Sequence, residues 1–179
     1  MRSHLVSGLL LGVLPWTAVA LMGLGQQMYY PACGYACLNT LSTFPLSCTT
    51  HDHHDMGGDM SDMEMDMPSM ATTTPACRAE DRAYLTTLAW CFHTKCTDDA
   101  VPDWDLEKFW AEQATTDPTV APKWSYSAAL ANISRPPTKE LAADDTLNVT
   151  ALVPQDAWTS EYGTMTTMEF VEAWHERYG

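Results

Sequence analysis

Basic residues are scarce in this chain: nine Lys and Arg stand against 23 Asp and Glu, a formal net charge of −14. A surface of that sign is a poor partner for nucleic acid or an anionic membrane, and it suits metal cations. The nucleotide signatures G-x-G-x-x-G and the P-loop are missing, as is the G-x-S-x-G nucleophile motif. So is any pair of membrane histidines that could hold haem. No residue is therefore assigned a catalytic role. Beyond residue 25 no apolar run approaches the roughly 18–20 residues that a spanning helix needs. Period-2 alternation of useful length is also lacking, which argues against a sheet protein.

What is present begins with a secretory signal over residues 1–20: Arg2 as the positive region, an apolar stretch from Leu5 to Leu14, and Ala18-Val19-Ala20 as the cleavage site. An uncleaved anchor is the alternative, because Leu21, Met22 and Leu24 prolong the apolar character. Cleavage leaves residues 21–179 as one extracellular domain with a core of modest size. Its six cysteines, spaced C-x3-C-x10-C-x28-C-x13-C-x4-C, do not fit a zinc finger or ribbon. An even number behind a signal peptide reads as three disulfides. The sequons at Asn132 and Asn148 mark candidate glycosylation sites and agree with the secretory route.

The expected fold is mainly α: a small, disulfide-stapled helical domain carrying a disordered Met/His/Asp-rich loop. A helix starts after Pro31 and runs to Leu41, with Cys33, Cys37 and Leu41 on one face. A second runs from Ala79 to Lys95, with Glu80 and Asp81 in its first turn and a stripe of Tyr84, Leu85, Leu88, Cys91 and Phe92. If these two helices are antiparallel, the nested pairing is Cys33–Cys96 and Cys37–Cys91, with Cys48–Cys77 closing the loop; fifteen connectivities are open in principle. Asp103 is read as the cap of a helix through Glu112, anchored by Trp104, Phe109 and Trp110. Ser125 to Asn132 forms a short helix before Pro136-Pro137, and Thr138 with Leu141 suggests another turn. Pro154 opens a helix bearing Ala157, Trp158 and Tyr162, and a last helix covers Met168 to Tyr178.

Residues 49–76 separate the first helix from the helical remainder, 77–179. Fifteen of the twenty residues from His51 to Met70 are His, Met, Asp or Glu, and none is Lys or Arg. Imidazole suits Cu(II) and thioether sulfur suits Cu(I), so the segment holds ligands for copper in both oxidation states. His51, His53 and His54 are candidates for Cu(II), with Asp52 or Asp55 adding oxygen donors. Met56, Met60, Met63, Met65, Met67 and Met70 are candidates for Cu(I), which accepts two or three soft ligands in almost any backbone shape. The alternative is an inert acidic linker, which leaves the recurrence of methionine unexplained. His93 and His175 read as exposed helical histidines, and Asp98/Asp99 and Asp144/Asp145 as solvated turns.

Five separated blocks resemble the extracellular N-terminal region of filamentous-fungal ferric reductases, the ferric/cupric metalloreductase family. They are Cys77-Arg78, Tyr84 through Cys96, Leu106 through Trp110, Pro122 through Leu130, and His175 through Gly179. In that family the region is followed by a haem-carrying transmembrane domain and a cytosolic FAD and NADPH domain, which reduce Fe(III) or Cu(II) outside the cell for uptake. The resemblance implies an extracellular, membrane-linked metal-capturing domain involved in iron and copper transport, with copper or iron as its ions and a metal transporter or permease as its partner. This chain carries none of the family's haem, flavin or nicotinamide residues. The loop is similar in composition to the Met- and His-rich tails of copper transporters. The alternatives are a stand-alone secreted copper-binding protein and a disulfide-rich secreted module working by protein contact.

Overall fold

The helix that organises the molecule is the one whose apolar stripe is most regular. In the computed structural model, which describes residues 29–52 and 70–178, Tyr84, Leu85, Leu88, Ala89, Cys91 and Phe92 are all buried along helix α3 (Arg82–Lys95). Helix α1 (Ala32–Ser42) lies against it, turning Cys33, Cys37 and Leu41 inward. Disulfides Cys33–Cys96 and Cys37–Cys91, with Cα separations of 5.3 and 6.0 Å, staple the two helices on successive turns. That nested order runs them antiparallel. The third bridge is Cys48–Cys77.

Phe92 is the centre of the core. Its ring meets Phe109 and Trp110 of α4 (Asp103–Gln113) at 5.6 and 5.8 Å, and Tyr126 of α5 (Tyr126–Ala131) at 6.0 Å. Such edge and tilted contacts add to the area that aromatic side chains remove from water. Two buried rings of the core also place their polar ends on backbone carbonyls. The Trp110 indole N–H donates to the Trp124 carbonyl at 2.7 Å, and the Tyr84 hydroxyl to the Ala114 carbonyl at 2.7 Å. Gly34 of α1 allows the close approach of α4: a Cβ there would sit 2.7 Å from Phe109 Cε1.

The structure departs from the sequence expectations at several places. The helix expected over Ala79–Lys95 is two helices, α2 (Pro75–Glu80) and α3, broken at Asp81. Asp81 is extended and its carboxylate accepts from the Tyr84 N–H at 2.8 Å, so it caps α3 and does not lie inside a first turn. Glu80 ends α2 and pairs with Lys123 at 2.9 Å. Asp103 is the first residue of α4 and Pro102 its cap position, with no side-chain cap bond. Trp104 is not an anchor; it is 68% exposed. Thr138 and Leu141 form no helical turn, because the segment pairs in extended form with 152: Leu141 N–H donates to Leu152 O at 3.0 Å, and Leu152 N–H to Lys139 O at 2.8 Å.

The two C-terminal helices expected from the pattern are one, α6 (Gln155–Tyr178). Its first half packs Trp158 and Tyr162 against the domain, stacked on each other at 4.8 Å, with the Lys95 ammonium 4.8 Å from the Trp158 ring. Asn39 of α1 donates to Glu161 at 3.0 Å. In the last turns Met168, Phe170, Val171, Trp174 and Tyr178 are exposed, so that side of the helix is not a core stripe. The signal peptide assigned to residues 1–20 lies outside the described residues.

Candidate metal-presenting loop and its stem

The candidate site is held by a small antiparallel hairpin, β1 (Thr50–Asp52) with β2 (Met70–Thr72), in the register Thr50↔Thr72, His51↔Ala71 and Asp52↔Met70. Strands of three residues are too short to show alternation in sequence, and a two-stranded hairpin is marginal by itself. Its stability comes from below. The Thr49 and Thr73 hydroxyls share a hydrogen bond of 2.7 Å, and Thr50 Oγ1 donates to Thr72 O at 3.3 Å. Beneath them Cys48–Cys77 closes the base, with a Cα separation of 5.8 Å across 29 residues.

Cys77 is fixed in turn by α2, whose cap residue Thr74 accepts from the Cys77 N–H at 3.2 Å and whose first residue is Pro75. On the other side the chain is tied down by Leu46. Its N–H donates to Thr49 Oγ1 at 2.7 Å, and it forms a bridge to Leu147. Leu46 and Leu147 are both buried. Ser47 donates to the second oxygen of Asp81 at 2.9 Å, so one carboxylate caps α3 and holds the foot of the hairpin. Both ends of the His/Met/Asp segment therefore leave a rigid core side by side.

Of the candidate ligands, His51 lies on β1 and Met70 on β2, near the top of the stem. His53, His54, Asp55, Met56, Met60, Met63, Met65 and Met67 lie outside the described residues. Among the described residues no three His, Cys, Asp or Glu side chains cluster in a way that would hold a metal ion. His93 is exposed and leans on Trp90, its ring 5.5 Å from the indole, and His175 is exposed on α6. All six cysteines are in disulfides, so none is a free thiolate ligand.

Two turns expected to be merely solvated carry structural bonds. Asp145 accepts from the Ala142 N–H at 3.0 Å and pairs with Lys139 at 2.9 Å. Asp99 accepts from the Tyr162 hydroxyl at 2.5 Å, which together with burial pushes the phenol up to about 12. That bond lies beside a cavity of about 210 Å³ lined by Tyr30, Asp99, Tyr162 and Glu169, with Pro31 and Thr166 among its walls. Burial, reinforced by Asp99 and Glu172, holds the Glu169 carboxyl above its ordinary range. Nothing in the sequence points to this group, because its members come from segments far apart. The only local hint is the Asp98-Asp99 pair after Cys96.

No known protein family, curated protein or solved structure matches this chain. Three disulfides belong to an oxidising compartment, secretory or extracellular. Among the described residues no helix is long and apolar enough to cross a membrane. Asn132 and Asn148 are both exposed; Asn132 follows α5, and its side-chain amide donates to Ala128 O at 2.9 Å.

Proposed function

We propose that this chain is the extracellular metal-capturing domain of a ferric/cupric reductase-like membrane protein, and that residues 51–70 are its capture segment. The observation that carries the reading is the stem: a hairpin pinned by Cys48–Cys77 and seated on Leu46 and Asp81. Such a base ties together the two ends of a segment that is rich in ligands and poor in core-forming residues. The resemblance to fungal ferric reductases adds the source of electrons and the purpose, supply of reduced metal for uptake.

In this reading copper is cargo. His51, His53 and His54, with Asp52 or Asp55, collect Cu(II); neutral imidazole and carboxylate are suitable ligands for that ion. One electron would convert it to Cu(I), and the haem-bearing domain implied by the resemblance would be its source. The soft ion then exchanges onto Met60, Met63, Met65 and Met67, flanked by Met56 and Met70, and passes to a transporter. Iron is the second candidate ion. This chain contributes capture and retention, and the FAD, NADPH and haem chemistry belongs to the family's downstream domains.

The test is Cu(I) titration of purified protein against a competing chelator, beside a variant with Met60, Met63, Met65 and Met67 changed to Leu. Affinity falls in the variant if the thioethers are the ligands; equal affinity in both proteins removes the soft-ligand reading. A stand-alone secreted copper-binding protein is the second reading, favoured by the fact that every candidate ligand lies within this one chain. Transcript sequence downstream of the Gly179 codon separates the two: an open frame encoding apolar helices supports the reductase, a stop codon the carrier. Glycosylation of Asn132 and Asn148 belongs to either.

A further inference from the structure

The C-terminal half of α6 is amphipathic in an inverted sense. Glu169 and Glu172 are half-buried on the side turned to the domain, where Glu169 faces Asp99; one step earlier on the same side Glu161 meets Asn39. The outward side carries Phe170 at 66% exposure, Trp174 at 53% and Tyr178 at 65%, together with Met168 and Val171. Phe170, Trp174 and Tyr178 form a row of mutually tilted rings, with centroids 6.4 and 4.4 Å apart. From Thr167 onward this outward side is free of carboxylates among the described side chains, and it carries His175 and Arg177. In a chain of net charge −14 that is a local reversal.

We propose that this face lies in the headgroup layer of a lipid bilayer. Two observations favour lipid over other occupants. First, the residue types are those that settle at membrane–water interfaces: Trp and Tyr at headgroup depth, with Phe, Val and Met beneath. Second, the charge is complementary: this outward side carries Arg177 and no carboxylate among the described side chains, in a protein of net charge −14, and so meets phosphate-bearing headgroups without repulsion.

A second copy of the chain fits less well. The five apolar side chains expose on the order of 550 Å², judged from the typical size of such residues, against roughly 800 Å² per partner in a stable protein interface. Two copies would also bring two strongly acidic molecules together. The proposal stands on α6 alone, so it survives or fails independently of copper binding.

The experiment uses the full chain with phosphatidylcholine vesicles whose acyl chains are brominated near the headgroup, which quench indoles at that depth. Wild type is compared with Trp174→Phe and Trp104→Phe, conservative changes at exposed positions that keep the fold. The expected result is that wild type loses emission that Trp174→Phe does not, and that the difference spectrum is blue-shifted. Trp104→Phe keeps the full wild-type quenching. Equal quenching in wild type and Trp174→Phe overturns the proposal. It is equally overturned if sedimentation without lipid shows a dimer that Phe170→Ser abolishes, since the face then belongs to a second copy.

Discussion

Replacing Cys48 and Cys77 by Ser tests whether the hairpin stem is held by its bridge or by its own contacts. The bridge closes 29 residues, and the loop-entropy relation assigns such a closure about 3.5 kcal/mol through the unfolded state. Cys37–Cys91 already encloses both cysteines, so part of that restriction is in place without the third bridge. The expected loss is therefore about 2–3 kcal/mol, read by urea unfolding at neutral pH. A second variant, with residues 53–69 replaced by Asn-Gly, separates the loop from the stem. Counted between Cys48 and Cys77, the closure then falls from 29 residues to about 14, one halving, which the loop-length relation rates at about 0.6 kcal/mol. The replacement should thus leave the bridged protein within about 1 kcal/mol of wild type, and should rescue a few tenths in the unbridged one. A replacement that destabilises the bridged protein by about 2 kcal/mol or more would refute the reasoning, because losses of that size come from removing packed or hydrogen-bonded groups.

Further changes test the core and its ionisable rim. Gly34→Ala places a methyl group 2.7 Å from Phe109 Cε1 and 3.2 Å from Pro31 Cγ, and should cost about 1–3 kcal/mol in thermal or chemical unfolding. Tyr84→Phe leaves the buried Ala114 carbonyl without its 2.7 Å donor, a loss of about 1–2 kcal/mol by the same assay. Glu169 has its folded value raised by burial, then by Asp99 and Glu172. Its contribution is therefore fully present below the unfolded value and is lost as pH rises through the folded one. Glu169→Gln should then stabilise the protein relative to wild type at pH 7 and lose that advantage near pH 4, seen in unfolding midpoints across pH. Glu107 has the opposite sign: burial alone would raise it, but hydrogen bonds from Ser127 and the Tyr126 N–H outweigh this and lower it. Glu107→Gln should cost stability at pH 7 and little below the folded value.

The parts of the fold that were legible are those in which period and covalent chemistry agree. Along α3 the apolar stripe and the spacing of Cys91 and Cys96 demand one inward face, and α1 answers with Cys33 and Cys37 four residues apart. The break at Asp81 was hidden because helix-favouring residues flank it. Thr74-Pro75, a cap followed by proline, was the available signal for an earlier helix. The C-terminal pattern read as two helices because no apolar stripe joins Tyr162 to Met168, yet α6 runs unbroken through Gly163. Nothing lies within 4 Å of a Cβ built there, so the glycine marks no contact and carries only the cost of about 1 kcal/mol that glycine has within a helix. The exposure of Trp104 and of the Phe170–Tyr178 stripe was not legible, since residue type gives burial on average and not the face a neighbour covers. The strands of the stem were too short to alternate, and the group formed by Tyr30, Asp99, Tyr162 and Glu169 is assembled only in three dimensions.

The bridges also differ in how they meet a thiol from solution. Cys33, Cys37, Cys91 and Cys96 are sealed in the interior, whereas Cys48 stands in water. A dilute reductant should therefore cut the outermost crosslink long before the inner two, leaving a species whose helices are intact and whose hairpin stem is untied. Cutting the chain between Cys48 and Cys77 would then still leave its two halves joined through Cys33–Cys96 and Cys37–Cys91.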